Sequence, residues 1–519
     1  MAHANDRWMR ILLLVLFILV AIHPEMAVCS SVTDGSREKE NETSSNELTG
    51  DVDKGSENAT APMDSVTKQS WTSKLLHLQL PKTAYEITED SIPKLLGVQL
   101  PSWTPKLLSA QFNGIYQNMP AFHSPYQGEK SLRFDQGLGR QFTHTYGAYF
   151  GSQLTRWLQA YLDVEMFRGK GISEGLGLGG YMNGDFIRAG PQNLGPAPYL
   201  ARLYLRYLIP LSEERTGPEE PAMGYLPSPE PTSRIEIKLG KLAPTDDMDL
   251  NRYANNQRTQ FLNYAFLFNA AWDYASDTRG YSRGFSVSLV KPSWRLTFGS
   301  YQVPKTSNGY FLDNEIGARG DNLELTLKPN RFDTVIRLLA YRNTGRMGSY
   351  QEALDIGSAT STIPDVHSDE HRGRTKYGFG INLEQPITDN GETGLFARAG
   401  WCDGHTSTWS YTEVDRHLSA GMQVSGVHWG RAEDHLGIAY AVQGLSSIHK
   451  RYLAAGGIGM LIGDGNLNYG LEQIFEIYYR IQLGRYIQIS PDFQNIWNPG
   501  YNRDRGPAQV YGLRLHLIY

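Results

Sequence analysis

Long hydrophobic runs are scarce in this chain. After the N-terminal segment, no apolar stretch approaches the roughly 20 residues that a membrane-spanning helix needs, which excludes a helical membrane protein. Charged residues make up 20% of the 519 residues, and the mean hydropathy is -0.41. A β-barrel tolerates these values because only every second residue of a strand faces lipid. Excess positive charge is also lacking, since the net charge is -5, and this argues against nucleic acid as a partner.

Cysteine is nearly absent, with Cys29 and Cys402 as the two examples. An apolar run at 11–22 follows two arginines and precedes small residues, a pattern typical of a secretory signal peptide. We therefore predict a signal peptide over residues 1–30, cleaved near Cys29. Retention of the run as an anchor and lipidation of Cys29 are the alternatives. With Cys29 at the signal boundary, no intramolecular disulfide framework is expected in the mature protein.

Aromatic residues are rare between residues 31 and 70, where Ser, Glu, Asp, Asn, Thr and Gly dominate. Such a segment cannot bury a core. We predict that residues 31–108 form a largely disordered periplasmic leader with short apolar clusters, around Leu75 and Leu95. These clusters are compatible either with docking on a barrel mouth or with a short helical stalk.

Alternation of apolar and polar residues dominates the rest of the chain. Residues 158–166 show it best, with Leu, Ala, Leu, Val and Met on one face and Gln, Tyr, Asp and Glu on the other. Comparable segments lie at 109–117, 145–154, 199–209, 233–242, 283–290, 294–303, 321–328, 333–343, 375–385, 393–403, 416–426, 435–444, 468–482, 485–496 and 508–519. This pattern predicts an all-β protein, a transmembrane antiparallel β-barrel of about 16 strands over residues 109–519.

The connections between these segments alternate between short and long, as expected for short periplasmic turns and long external loops. With an even strand count, both termini are then predicted to be periplasmic. The exception is 212–232, a long Pro/Glu-rich connection on the short-turn side, which is either an inserted loop or a missed pair of strands. The last segment, 508–519, ends on the exposed aromatic Tyr519, and closure against the first strand would remove an otherwise open edge.

Several short motifs carry a family resemblance when they are taken together in order. They are Leu239-Gly240-Lys241-Leu242, Gln260-Phe261-Leu262-Asn263, Leu395-Phe396-Ala397-Arg398-Ala399-Gly400-Trp401, Trp429-Gly430-Arg431, Gly463-Asp464-Gly465, Glu476-Ile477-Tyr478-Tyr479 and Pro491-Asp492-Phe493-Gln494. The chain resembles the carbohydrate-selective, OprB-like porins of Gram-negative outer membranes over residues 111–519. The long leader and the 212–232 insertion depart from the compact pattern of that family.

The resemblance implies a sixteen-stranded outer-membrane channel for passive diffusion of glucose and similar small sugars. It also implies contact with outer-membrane lipid and lipopolysaccharide, and recognition of Tyr519 by the barrel-insertion machinery. A general unselective porin and a receptor or structural barrel are the alternatives. The sequence leaves the oligomeric state open.

Inward-facing polar side chains are the candidate solute path, because a sugar is held by paired donors and acceptors and by aromatic faces. On 199–209, Arg202, Tyr204 and Arg206 are expected to point inward, and Tyr199, Ala201, Leu203, Leu205, Tyr207 and Ile209 outward. The full candidate set is Asp163, Glu165, Arg202, Tyr204, Arg206, Arg337, Arg398, Glu472, Glu476, Arg480, Asp492 and Gln494. The alternative is that these are ordinary solvated lumen charges paired across strands.

Residues 256–274 break the alternation, with apolar residues at helical spacing inside a long loop. They are expected either to fold into the pore as a constriction or to pack over its rim. Signs of catalysis are weak. The stretch His367 to His371 lacks zincin spacing, and Glu472 and Glu476 would lie roughly 13 Å apart on a strand, too far for a glycosidase pair. We expect no enzyme, no metal and no cofactor.

Overall fold

The computed structural model describes residues 104–519 except 188–193, 196, 217–224, 227–228 and 330–332. The predicted signal peptide and residues 31–103 of the predicted leader lie outside the described residues. In the part of the chain that is described, no helix is both long enough and apolar enough to cross a membrane.

Sixteen antiparallel strands form one closed barrel in which each strand pairs with its sequence neighbours. Their bounds are β1 Lys106–Asn118, β2 Arg140–Gln153, β3 Leu158–Arg168, β4 Tyr199–Pro210, β5 Arg234–Leu242, β6 Ser282–Lys291, β7 Trp294–Gln302, β8 Arg319–Leu327, β9 Val335–Met347, β10 His371–Thr388, β11 Thr393–Cys402, β12 Arg416–Ser425, β13 His435–Gly444, β14 Glu472–Leu483, β15 Ile487–Trp497 and β16 Ala508–Ile518. The predicted fold class and strand number are confirmed.

Helices are short and lie in the connections. The α-helices are α1 Tyr264–Leu267, α2 Tyr350–Thr360 and α3 Ser447–Ala454, and single 3₁₀ turns lie at Ile172–Gly175, Pro244–Asp246, Asp389–Gly391, Gly426–Trp429 and Pro499–Tyr501. The barrel therefore has a short-turn end, where 154–157 and 484–486 connect strands, and a long-loop end, which carries all three α-helices.

The first and last strands close the barrel. β1 pairs with β16 from Gln111↔Ile518 to Asn118↔Tyr511. The ladder continues past β16, since the amide of Tyr519 donates to the carbonyl of Ala110 at 2.8 Å and the Ala110 amide returns a bond at 3.1 Å. Closure leaves no unpaired edge strand for aggregation.

Side chains on the strands alternate between the two faces as the sequence predicts. Leu205 and Leu513 are exposed on the outer face, and Arg206 and Arg514 are buried on the inner face. The outer face is therefore an apolar surface suited to lipid, and the lumen carries the polar residues.

The predicted alternation is wrong at the start of β4. Asp163 pairs with Arg202 but Val164 pairs with Leu200, so Ala201 is an extra residue opposite β3. This bulge reverses the faces of the preceding residues. Tyr199 and Ala201, expected to point outward, instead pack with Ala243 and Tyr281 inside the lumen, and Leu200 is exposed.

The 212–232 insertion is not a missed pair of strands, because β4 pairs directly with β5. Its described residues contain one isolated bridge, between Arg215 and Pro231, and no strand. A second long connection, 243–281, folds into the lumen. The Trp272 side chain in this connection is buried, and its indole nitrogen donates to Asn322 on β8 at 2.9 Å. Of the two alternatives for 256–274, the structure supports the inward-folded segment over the rim.

Candidate functional site

The lumen contains a cavity of about 410 Å³ between the barrel wall and the inward-folded loops. Side chains of β2, β3 and β4 form one part of its lining. Residues of the 243–281 connection form much of the rest, and Tyr225 of the 212–232 insertion also contributes. The cavity is thus bounded jointly by wall and loops.

Two arginines organise the charged part of the lining. Arg202 lies between two carboxylates, with its Nη1 3.2 Å from Asp163 and its Nη2 2.6 Å from Asp246. Arg258 donates to Asp185 at 2.9 Å and to Glu165 at 3.2 Å. Each guanidinium is therefore matched by acids from the wall and from a loop, and the local charges cancel.

Tyrosine hydroxyls complete this hydrogen-bond network. Tyr149 donates to Glu165 at 2.9 Å and accepts from Arg258 at 2.8 Å. Tyr281 also donates to Glu165. On the neighbouring strands, Tyr204 stacks on Tyr161 with ring centroids 5.0 Å apart. The wall therefore offers many closely spaced donors and acceptors.

An aromatic cluster lines the same cavity from the loops. The Tyr411 ring stacks on Tyr264 and Tyr274, with centroids 5.8 and 5.1 Å away and interplanar angles of 13° and 20°. The Tyr264 and Tyr274 hydroxyls are 2.6 Å apart and bond to each other. Phe268 packs against Tyr264 at 5.9 Å. These rings give the cavity an apolar face beside its charged one.

The structure divides the predicted solute-path residues into distinct groups. Four of them, Asp163, Glu165, Arg202 and Tyr204, line the cavity. Arg206 is buried nearer the short-turn end and is not part of the lining. Its guanidinium bonds Glu236 at 2.9 Å and Glu230 of the insertion at 2.5 Å.

Two predicted glutamates on β14 bind loop backbone. Glu476 accepts hydrogen bonds from the amides of Leu262 and Asn263, at 2.5 and 2.9 Å. Glu472 accepts from the amides of Gly500 and Gly179, at 2.8 and 3.1 Å. Their carboxylates fix the inward-folded loops against the wall and do not line the cavity.

Arg398 and Gln494 have the same anchoring geometry. Arg398 donates to the carbonyls of Phe266 and Ala254 at 2.8 and 2.7 Å and pairs with Asp249 at 3.2 Å. Gln494 accepts from the Asn263 side chain at 3.0 Å. Sequence alternation predicts that these side chains face inward, but it contains no signal for which loop atoms they meet.

The last three predicted residues pair on the wall away from the cavity. Arg337 bonds Glu384 at 3.2 Å, and Asp492 accepts from the Gln494 side chain at 3.1 Å. Arg480 lies 2.5 Å from a ring nitrogen of His435. For these, the alternative of ordinary paired lumen charges describes the contacts.

Three residues of the charged lining and its ion pairs come from loops and were not in the predicted set. They are Asp185, Asp246 and Arg258, which hold the partners of the wall residues described above. Loop residues follow no period-2 pattern, so alternation could not find them. Their one sequence signal is charge inside segments that are otherwise apolar or glycine-rich.

A second buried cluster lies among the long loops and ties them together. His449 on α3 is 3.0 Å from Asp415 and 3.4 Å from Glu413, and its ring stacks on Tyr350 of α2 at 4.2 Å. Burial alone lowers the pKa of His449, but the two carboxylates outweigh it and raise the pKa to about 9. The imidazolium is thus held charged at neutral pH.

The described residues bring three possible metal ligands together at Glu352, Asp369 and His371. Arg374 bonds all three side chains, including Asp369 at 2.9 Å and His371 at 2.8 Å. A guanidinium in this position satisfies the carboxylates as a cation would. The group is therefore described by its ion pairs.

These features define a class. A closed sixteen-stranded barrel, apolar outside and polar inside, whose lumen is narrowed by inward-folded loops, is the architecture of a porin-type channel.

Residues 169–518 match the carbohydrate-selective porin, OprB family. The chain belongs to that family, as its motifs predict. A curated relative, porin AaxA of Chlamydia pneumoniae, is 23% identical over 280 residues, covering 52% of each chain. The chain thus spans about half the length of this relative. The structure of OprB from Pseudomonas putida at high pH superposes with a TM-score of 0.60 at 15% identity, over 80% of this chain and 94% of that one. This likeness shows the shared fold.

Proposed function

We propose that the protein is an outer-membrane channel for passive, selective diffusion of neutral carbohydrates, glucose and similar small sugars. One observation carries the proposal: the cavity joins a charge-balanced network of donors and acceptors to a cluster of aromatic rings. Membership of the carbohydrate-selective porin family supports it.

The physical argument rests on what a sugar presents. Its hydroxyls need paired donors and acceptors, and its C–H faces pack on aromatic rings. Arg202, flanked by Asp163 and Asp246, supplies both donors and acceptors, and Tyr411 and Phe268 supply rings. Because the arginines and acids neutralise each other, an ion gains little there. Binding of this kind is weak enough for the solute to leave again.

The orientation follows from parity and is also proposed. The short-turn end and both termini would be periplasmic, and the long loops external. The exposed apolar outer face would contact lipid and lipopolysaccharide, and Tyr519 would be read by the insertion machinery. A channel of this kind needs no catalytic step, and we expect no enzyme activity.

Liposome swelling with the purified protein tests the proposal. Glucose and a disaccharide are compared with a neutral amino acid and with ions of similar size. Faster entry of glucose than of the amino acid is expected. Equal rates for solutes of equal size would instead identify a general porin. Sugar binding without entry would identify a receptor.

A further inference from the structure

The 212–232 insertion reaches into the barrel from the short-turn end. Tyr225 lies over the Arg206 guanidinium, whose carbon is 5.7 Å from the ring centroid. Arg206 is four residues before the end of β4, so this contact lies about 13 Å into the barrel along the strand at 3.3 Å per residue. An ordinary hairpin turn would not extend this far.

Contacts from four consecutive strands hold the tip of the insertion. Lys238 on β5 donates to the Tyr225 hydroxyl at 2.9 Å. On β3, Tyr161 accepts from the Leu226 amide at 3.2 Å, and its ring packs edge-on against Tyr225 at 5.7 Å. On β2, a Cβ at Gly151 would lie 2.9 Å from Leu226 Cγ, so the absent side chain leaves room for the leucine.

The base of the insertion is held by charge. Glu230 pairs with Arg206 at 2.5 Å and with Arg234 at 2.7 Å, and Glu236 pairs with Arg206 at 2.9 Å. All of these side chains are largely buried. Such a cluster is costly to leave half-paired, which favours the docked position of the insertion.

Tyr225 also lines the solute cavity, together with Arg202 and Tyr204. We propose that Tyr225 and Leu226 form a second constriction, on the short-turn side of the cavity, that limits the size of the solute able to leave it. The inference rests on the proposed function for its solute, but the narrowing itself is independent of what permeates. The inward-folded 256–274 segment and the insertion would then act in series.

The test is a size-exclusion series on single channels in planar bilayers, with potassium chloride as the conducting salt and polyethylene glycols of graded mass as probes. The variant Tyr225→Ala with Leu226→Ala should raise the conductance about twofold and admit larger polymers, because pore conductance rises with cross-section. Tyr225→Trp should change both in the opposite direction. The matched control is Tyr207→Ala with Leu205→Ala, which removes the same residue types from the exposed outer face of β4.

Unchanged conductance and polymer cut-off in both Tyr225 variants, with barrels that still shift on gels after heating, would overturn the inference. The same variants are then tested by swelling with a mono-, di- and tetrasaccharide, where the double alanine variant should narrow the rate differences. If the polymer cut-off moves but no saccharide enters even the parent channel, the constriction stands and the proposed function fails. The two ideas can thus fail separately.

Discussion

Removing the Arg398 side chain should free the constriction segment without opening the barrel. The guanidinium bonds the carbonyls of Ala254 and Phe266 and pairs with buried Asp249. Breaking a buried ion pair by deleting one partner costs about 3–5 kcal/mol. Since each 1.4 kcal/mol is tenfold, Arg398→Ala should lower the ratio of docked to displaced loop by at least about 100-fold. The sixteen strand ladders are untouched.

Single-channel recording and limited proteolysis measure this change. Arg398→Ala should show higher and noisier conductance, and the 243–281 connection should become accessible to protease. Arg398→Lys keeps a charge for Asp249 but lacks the planar fork that reaches several acceptors at once, so an intermediate result is expected. The control is Arg337→Ala, another inward arginine, which pairs with Glu384 on the wall and contacts no loop in this segment.

The reasoning is refuted if Arg398→Ala and Arg337→Ala assemble equally well and give the same conductance, noise and cleavage pattern. Loop docking would then depend on contacts other than this guanidinium, with Glu476 as the next residue to replace.

Three further predictions concern assembly, pH and selectivity. Deleting Tyr519 should reduce the assembled barrel at the cell surface far more than Tyr511→Asp, and equal surface levels would contradict this. The ion pairs of His449 should contribute fully below pH 6.5 and be lost as pH rises through about 9, because a raised pKa stabilises the fold only while the group stays protonated. Protease resistance of the long loops should therefore fall between pH 7 and 10, and His449→Asn should be sensitive throughout. Arg202→Ala should shift ion preference toward cations about two- to fivefold by unpairing two cavity acids, and Arg206→Ala should change the size limit instead; identical reversal potentials for Arg202→Ala and the parent would exclude the first effect.

The barrel was predictable from sequence because a strand in a lipid-facing wall writes a period-2 pattern along its whole length. That rule gave the inward position of Arg514 and the outward position of Leu513. It failed at Tyr199, where one extra residue in the bulge at Ala201 reverses the pattern. A bulge of this kind leaves no mark in the alternation of hydrophobicity that precedes it.

The site was predictable only in part, for a different reason. Alternation states which face a side chain occupies, but the cavity also depends on where loops dock. Glu476 and Arg202 look alike in the sequence as inward charges, yet one binds loop amides and the other lines the cavity. The partner Arg258 comes from a loop with no periodic signal. Long-range contacts of this type become visible only when the strands and loops are placed in space.

The seam between β1 and β16 has a consequence for how the chain folds. At the seam, His516 meets Gln111 at 3.1 Å although the two are 405 residues apart in sequence. Each of the other ladders joins strands that follow one another directly in the chain. Contacts between distant residues carry a large loop-closure entropy unless the intervening chain is already ordered. The seam should therefore be the last ladder to form, and until then the strand bearing Tyr519 stays available as a free edge.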